Sequence, residues 1–264
     1  MSYKDLLVTL DQSDHGRERL KIAAQLAGRF GAHMTGYYVA PDEKLEASPT
    51  TNAANTVRTM ESLFEDACRA QGVTSDWLLG VEPIADDLNF HIRTVGLAIV
   101  GLGDPNGITP DPQGFSAEDV VLGCGRPVLG VPIANVPERI GRTVLLAWDG
   151  SRPASRAMND ALPFLVEAEA VTVLAVEADD RLLSSLDAAV THLQRHGVAA
   201  AAERSDDVLG DGDIAATIFA EADYRRADLV VAGAYGHSRL GEALLGGVSR
   251  KLLHQMMVPV LMSH

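Results

Sequence analysis

The two halves of the chain repeat one pattern of strands and helices, and this repeat restricts the fold more than any other feature. Residues 4–13 and 142–151 are both apolar strands that end on an aspartate, Asp11 and Asp149. A serine follows two residues later, at a helix N-cap position, and then an apolar stripe with helical spacing. The later strands also correspond: residues 32–39 to 170–176, 96–101 to 228–233, and 126–129 to 258–261.

Strands that alternate with amphipathic helices predict parallel sheets with right-handed crossovers and helices on both faces. The repeat therefore predicts an α/β fold of two tandem doubly wound domains, residues 1–136 and 137–264. We place the boundary where Pro132 and Pro137 flank a short polar connection. Ligands of such sheets bind beyond the C-terminal ends of the strands. We thus expect Asp149 and Gly233, which both end strands, to face one crevice.

A glycine-spaced loop follows the apolar strand 230–232 in the C-terminal copy. Gly233 and Gly236 are separated by two residues, and nine residues later Gly246 and Gly247 precede a helical apolar pattern. Glycines let backbone N–H groups approach an anion closely, and a helix N-terminus adds unpaired donors. The loop has neither the Gly-Lys-Ser/Thr of a P-loop nor a dinucleotide fingerprint. The spacing predicts a phosphate-binding loop, although Gly-x-x-Gly alone also fits two ordinary turns.

Nine residues of the C-terminal copy are candidates for binding a nucleotide: Asp149, Val176, Gly233, Gly236, His237, Gly246, Gly247, Val248 and Ser249. A carboxylate at a strand end can accept a hydrogen bond from an adenine amino group or a ribose hydroxyl. Asp149 also fits a turn that leads into its own helix. Ser249 fits a phosphate donor or a helix cap, and His237 fits a phosphate partner or a solvated side chain. Trp148 is expected to pack in the core.

The N-terminal copy lacks the corresponding loop. Gln12 stands where the C-terminal copy has Gly150, and Asp104, Glu118 and Asp119 occur where the small residues would be. Because carboxylates repel phosphate, we expect one nucleotide per chain, with the N-terminal site degenerate.

Composition limits the classes of partner. With 47% hydrophobic and 22% charged residues, the chain of 264 residues is typical of a folded protein with two cores. A formal charge of −14 argues against nucleic acid or an anionic membrane as the main partner. Cys68 and Cys124 form no metal-type pair, and no apolar run approaches the ~20 residues that span a bilayer. A cytoplasmic location is therefore expected.

These residues together resemble the universal stress protein family, in its bacterial form with two fused domains, over nearly the whole chain. The family pattern is Gly, two residues, Gly, nine residues, Gly, then Ser or Thr; here Gly247 stands where the hydroxyl residue is expected. The resemblance implies five-stranded parallel sheets of the adenine nucleotide alpha-hydrolase-like type. It also implies that Asp149 holds adenine or ribose, that Val176 lines the adenine pocket, and that residues 233–249 surround the phosphates.

Members of the family commonly dimerise through the last strand. The resemblance therefore implies that residues 127–131 pair with residues 259–262 as a pseudo-dimer within the chain, and it leaves a further homodimer open.

The function expected from these features is ATP binding that changes the conformation or the protein partner in a stress response, with at most slow hydrolysis. ADP, AMP and accompanying Mg²⁺ are kept as alternatives or additions, and the protein partner is not identified by the sequence. A rival is an adenylate-handling enzyme, a nucleotidyl transferase or ATP pyrophosphatase, although its sequence elements match poorly here. A third hypothesis is a nucleotide-free interaction module.

Overall fold

The computed structural model describes residues 2–40, 51–82, 84–103, 115–133, 137–205, 213–236 and 247–264. The chain forms two compact units. Of the described residues, the N-terminal unit contains those of Ser2–Gly101 and 115–126, and the C-terminal unit contains those of Pro127–His264 and 102–103.

The N-terminal unit contains a parallel sheet of four strands in the order β3-β2-β1-β4. Its elements are β1 (Asp5–Leu10), α1 (Asp14–Phe30), β2 (His33–Tyr38), α2 (Thr51–Ala70), β3 (Ser75–Leu79), α3 (Ile84–Ile92), β4 (Leu97–Gly101) and α4 (Ala117–Gly123). The strand β1 is buried from Leu6 to Leu10, as expected where helices cover both faces of a sheet.

The C-terminal unit contains six strands in the order β5-β10-β9-β6-β7-β8. Its elements are β5 (Val128–Val131), β6 (Thr143–Ala147), α5 (Arg152–Asp160), α6 (Leu162–Leu165), β7 (Ala170–Val176), α7 (Asp180–Arg195), β8 (Ala200–Ser205), α8 (Ile214–Tyr224), β9 (Leu229–Gly233), α9 (Gly247–Gln255) and β10 (Val260–Ser263). The five strands from β6 to β10 are parallel, which confirms the predicted α/β fold.

The strand β5 pairs antiparallel with β10, which is the pairing that the resemblance implied for residues 127–131 and 259–262. Leu129 lies opposite Leu261, and Gly130 lies opposite Val260. Because of these hydrogen bonds β5 packs with the C-terminal unit, so the N-terminal unit keeps four strands of its own. The domain boundary between residues 136 and 137 stays a prediction.

The predicted serine caps begin the first helix of each copy. The Ser13 Oγ accepts the Gly16 N–H at 2.9 Å, and the Ser151 Oγ accepts the Ala154 N–H at 3.2 Å. In the described part of the chain neither Cys68 nor Cys124 forms a disulfide, and both are buried. No helix among the described residues is long and apolar enough to cross a membrane.

Candidate functional site

Asp149 forms a tight turn between β6 and α5. Its Oδ1 accepts the Ser151 N–H at 2.9 Å, and Ser151 in turn caps α5. Gly150 adopts a left-handed conformation with φ of 70°, where side chains are strained. Asp149 itself is exposed. The turn interpretation of this residue is therefore observed, and it leaves the carboxylate at the surface, within reach of a ligand.

Two glycines let the loop after β9 approach this turn. A β-carbon on Gly233 would lie 2.6 Å from the Pro153 carbonyl carbon and 2.8 Å from the Ala154 Cα. A β-carbon on Gly236 would lie 2.5 Å from the Ser151 Oγ and 3.0 Å from the Asp149 Oδ2. The contacts of Gly233 are with backbone, which cannot give way, and those of Gly236 are with side-chain atoms that would have to move, so both close approaches favour glycine.

The structure thus brings together Asp149, Gly233 and Gly236 at the C-terminal ends of neighbouring strands, as the sequence predicted. Ser151, for which the sequence predicts only a cap, also lies at this contact. Val176 is the last residue of β7, the strand beside β6, and it is partly exposed. It therefore lies at the same edge of the sheet.

The loop also contacts α9 and His264, the residue that follows β10. The Tyr235 N–H donates to the Ser249 Oγ at 3.0 Å, and Tyr235 has a left-handed φ of 59°. The Tyr235 ring packs edge-on against His264 with the ring centroids 6.3 Å apart. Ser249 is 6% exposed. Its oxygen is already an acceptor for the loop, and its use as a phosphate donor stays a prediction.

The remaining candidates lie at or before the start of α9. Gly247 is the first residue of this helix and is exposed, and Val248 is partly exposed. His237 and Gly246 lie outside the described residues. The helices α5 and α9 both begin at this end of the unit, and a helix N-terminus attracts anions through its unpaired N–H groups.

Two further side chains near the site have structural partners. The Lys251 Nζ pairs with the Asp213 Oδ2 at 2.5 Å, and this hydrogen bond lowers the pKa of Asp213. The Trp148 Nε1 donates to the Ser185 Oγ at 3.1 Å, and the ring is 8% exposed. Trp148 is therefore a packing residue, as expected.

Comparisons with known proteins show similarity in sequence to one family and in fold to solved structures. The sequence profile of the Universal stress protein family matches residues 141–264. A universal stress protein from Archaeoglobus fulgidus DSM 4304 has a similar structure, with a TM-score of 0.78, 15% identity and 97% of each chain covered. A functionally unknown protein from Pseudomonas aeruginosa PAO1 is also similar, with a TM-score of 0.61 and 17% identity over 98% of this chain and 92% of that one.

The comparison with curated proteins finds no match. At these identities the solved structures establish the fold, and the family match applies to residues 141–264. The C-terminal half of the chain is therefore a universal stress protein domain, and the chain as a whole has the fold of a two-domain universal stress protein.

Proposed function

We propose that this protein binds ATP in its C-terminal unit and acts in a stress response by coupling nucleotide occupancy to its conformation or to a protein partner. The observation that carries the proposal is the approach of Gly236 to Asp149 and Ser151, where a β-carbon would overlap Ser151 and lie 3.0 Å from the Asp149 Oδ2. The exposed backbone at this point lies beside the first turn of α5, which is suited to an anion.

The proposed roles follow from chemistry and position. Asp149 accepts a hydrogen bond from the ribose or the adenine amino group, and Val176 contacts the base. The backbone N–H groups of Gly233 and Gly236, with the first turns of α5 and α9, hold the phosphates. The rest of the proposed phosphate site consists of His237, Gly246, Gly247 and Val248, and Ser249 holds the loop through the Tyr235 N–H. Mg²⁺ accompanies the triphosphate, and hydrolysis is slow at most.

The direct test is isothermal titration calorimetry of the intact chain with ATP, ADP and AMP, each with and without Mg²⁺. We expect one site per chain. Gly236→Glu places a bulky carboxylate on Asp149 and Ser151 and should abolish binding. Asp149→Asn should weaken it.

The matched control is Glu169→Gln, which removes a carboxylate from the same unit. Glu169 is exposed, pairs with Arg142 at 2.9 Å and lies at the opposite end of β6 and β7 from Asp149. The control should bind as the wild type does. If Gly236→Glu binds ATP as tightly as the control, the nucleotide does not occupy this loop.

The two rival functions give different outcomes in related assays. Pyrophosphate release from ATP with a carboxylate or thiol acceptor would support a nucleotidyl transferase or ATP pyrophosphatase. Absence of heat with all three nucleotides, from protein that is folded and free of copurified nucleotide, would instead support a nucleotide-free interaction module.

A further inference from the structure

The N-terminal unit contains the same strand ends as the C-terminal unit, but its aspartate is inaccessible. Asp11 corresponds to Asp149 in the repeat, and it is 8% exposed whereas Asp149 is exposed. The Asp11 Oδ1 accepts the Ser13 N–H at 2.8 Å and also contacts the Ser13 hydroxyl. The other carboxylate oxygen is bound by an arginine, so both oxygens of Asp11 are already used inside the unit.

That arginine is Arg19 on α1, which is 4% exposed. Its guanidinium donates to the Asp11 Oδ2 at 2.5 Å, and its Nε donates to the Thr9 carbonyl at 2.8 Å. A β-carbon on Gly101, at the end of β4, would lie 3.3 Å from the Arg19 Cζ. The guanidinium therefore extends from the end of β1 to the end of β4.

At the repeat position of Arg19 the C-terminal unit has a small side chain. Arg19 corresponds to Ala157 in the repeat, and Gly101 corresponds to Gly233. Gly233 rests directly on the first turn of α5, where a β-carbon would meet Pro153 and Ala154. In the C-terminal unit we place the sugar and phosphates between Asp149 and Gly233. In the N-terminal unit the equivalent space between Asp11 and Gly101 is occupied by the buried guanidinium of Arg19.

The position of the base is also filled in the N-terminal unit. Tyr38, the last residue of β2, corresponds to Val176 and is 1% exposed. Its hydroxyl accepts a hydrogen bond from the Gln12 Nε2 at 3.1 Å, and its ring stacks on Trp77 with centroids 5.8 Å apart. Burial and the Asp11 charge raise the pKa of Tyr38, although the hydrogen bond from Gln12 opposes this.

We propose that Arg19 and Tyr38 determine which copy of the repeat binds nucleotide, because they occupy the sugar-phosphate path and the base position of the N-terminal crevice. In the N-terminal unit, side chains of the protein thereby occupy the places of a ligand. The Arg19 guanidinium binds Asp11, and the Tyr38 ring fills the position of the base. Only the C-terminal unit then responds to nucleotide. This inference rests on the proposed function, since it assumes that the C-terminal crevice binds an adenine nucleotide.

The two tryptophans of the chain make the two units separately observable. Trp77 stacks on Tyr38 in the N-terminal unit, and Trp148 directly precedes Asp149 in the C-terminal unit. In Trp77→Phe, we expect ATP or adenosine to change the emission of Trp148. In Trp148→Phe with Gly236→Glu, we expect neither compound to change the emission of Trp77. A saturable change in Trp77 emission in that variant overturns this inference but not the proposed function. If Trp148 emission does not change and calorimetry shows no heat, both the proposed function and this inference are overturned.

A gain of binding provides the second test, with adenosine as the probe because it carries no phosphate. In the Trp148→Phe/Gly236→Glu background, Arg19→Ala and Tyr38→Val install the residues of the C-terminal copy. We expect adenosine then to produce a saturable change in Trp77 emission. The matched control has Tyr38→Phe, which keeps the aromatic ring, in place of Tyr38→Val. Adenosine should not change Trp77 emission in this control.

The inference is overturned if the protein with both Arg19→Ala and Tyr38→Val (the double variant) is folded and adenosine does not change its Trp77 emission. Where the double variant does not fold, Tyr38→Val alone replaces it, since it keeps the pair between Arg19 and Asp11. A weaker saturable response is then expected, and its absence in folded protein counts against the inference equally.

Discussion

Gly236 approaches Asp149 so closely that a β-carbon on residue 236 would lie 3.0 Å from the Asp149 Oδ2. The same β-carbon would lie 2.5 Å from the Ser151 Oγ, the atom that caps α5. The contact therefore joins the end of β6, the end of β9 and the start of α5. We therefore expect a substitution at residue 236 to displace atoms in all three of these segments.

Gly236→Ala is accordingly expected to weaken ATP binding by about tenfold or more, equivalent to about 1.4 kcal/mol. Gly247→Ala is the matched change at the start of α9. No described atom lies within 4 Å of its β-carbon, and its backbone N–H is retained. We expect Gly247→Ala, which keeps the N–H of the proposed phosphate site, to lose less affinity than Gly236→Ala, as measured by calorimetry. Equal losses in both variants would mean that the space around Gly236 does not matter for binding.

The two aspartates of the repeat should respond in opposite ways to the same substitution. Asp149→Asn keeps an oxygen for the Ser151 N–H and lies at the surface, so we expect a change in unfolding free energy within about 0.5 kcal/mol but weaker ATP binding. Asp11→Asn leaves the buried Arg19 without its anion, so we expect a loss of about 3 kcal/mol in unfolding free energy. Nucleotide affinity should be unchanged in this second variant.

Urea denaturation and calorimetry on both variants check this pair of expectations. A strong loss of stability in Asp149→Asn, or a loss of affinity in Asp11→Asn at a temperature where it is folded, would contradict the assigned roles.

Stability should also depend on pH through Asp11. Burial by itself raises the pKa of Asp11, but the Arg19 charge and the hydrogen bonds from Ser13 and Arg19 outweigh it, so the pKa in the folded protein is lowered. Such a group contributes stability above its unfolded pKa of about 3.9, and the contribution is lost as the pH falls through the lower folded pKa.

We therefore expect the difference in unfolding free energy between the wild type and Asp11→Asn to be constant near neutral pH and to shrink below about pH 4. Denaturation curves at a series of pH values measure this difference. A difference that grows on acidification has the wrong sign and would exclude a lowered pKa for Asp11.

The features that could be predicted from the sequence were those with a local pattern. The strands, the serine caps at Ser13 and Ser151 and the parallel order follow from apolar periodicity and cap chemistry. The assignment of β5 to the C-terminal unit depends on hydrogen bonds with β10, which no local pattern records.

Arg19 shows most clearly why the contents of the N-terminal crevice could not be predicted from the sequence. A charged residue on an amphipathic helix is normally solvated, and its burial here depends on Asp11, Thr9 and Gly101 acting together. Tyr38 likewise reads as an ordinary strand residue until Gln12 and Trp77 are placed around it. In both cases a contact between separate elements decides the role of the side chain.

Substitution of Ser249 tests whether this residue positions the loop or contacts phosphate directly. Its Oγ accepts the Tyr235 N–H at 3.0 Å, so Ser249→Ala leaves this loop N–H without its partner, at an expected loss of about 1 to 2 kcal/mol in unfolding free energy. If Ser249 acts by holding the loop, the variant should weaken ATP and AMP by the same factor. Ser249→Thr keeps the hydroxyl and should restore both affinities.

The comparison of ATP with AMP, by calorimetry on the wild type and both variants, decides between the two roles. A hydroxyl that donates to the terminal phosphates would make Ser249→Ala weaken ATP much more than AMP, because AMP has no such phosphates. An equal loss for both ligands, together with lower stability, is the result that the hydrogen bond from the Tyr235 N–H leads us to expect.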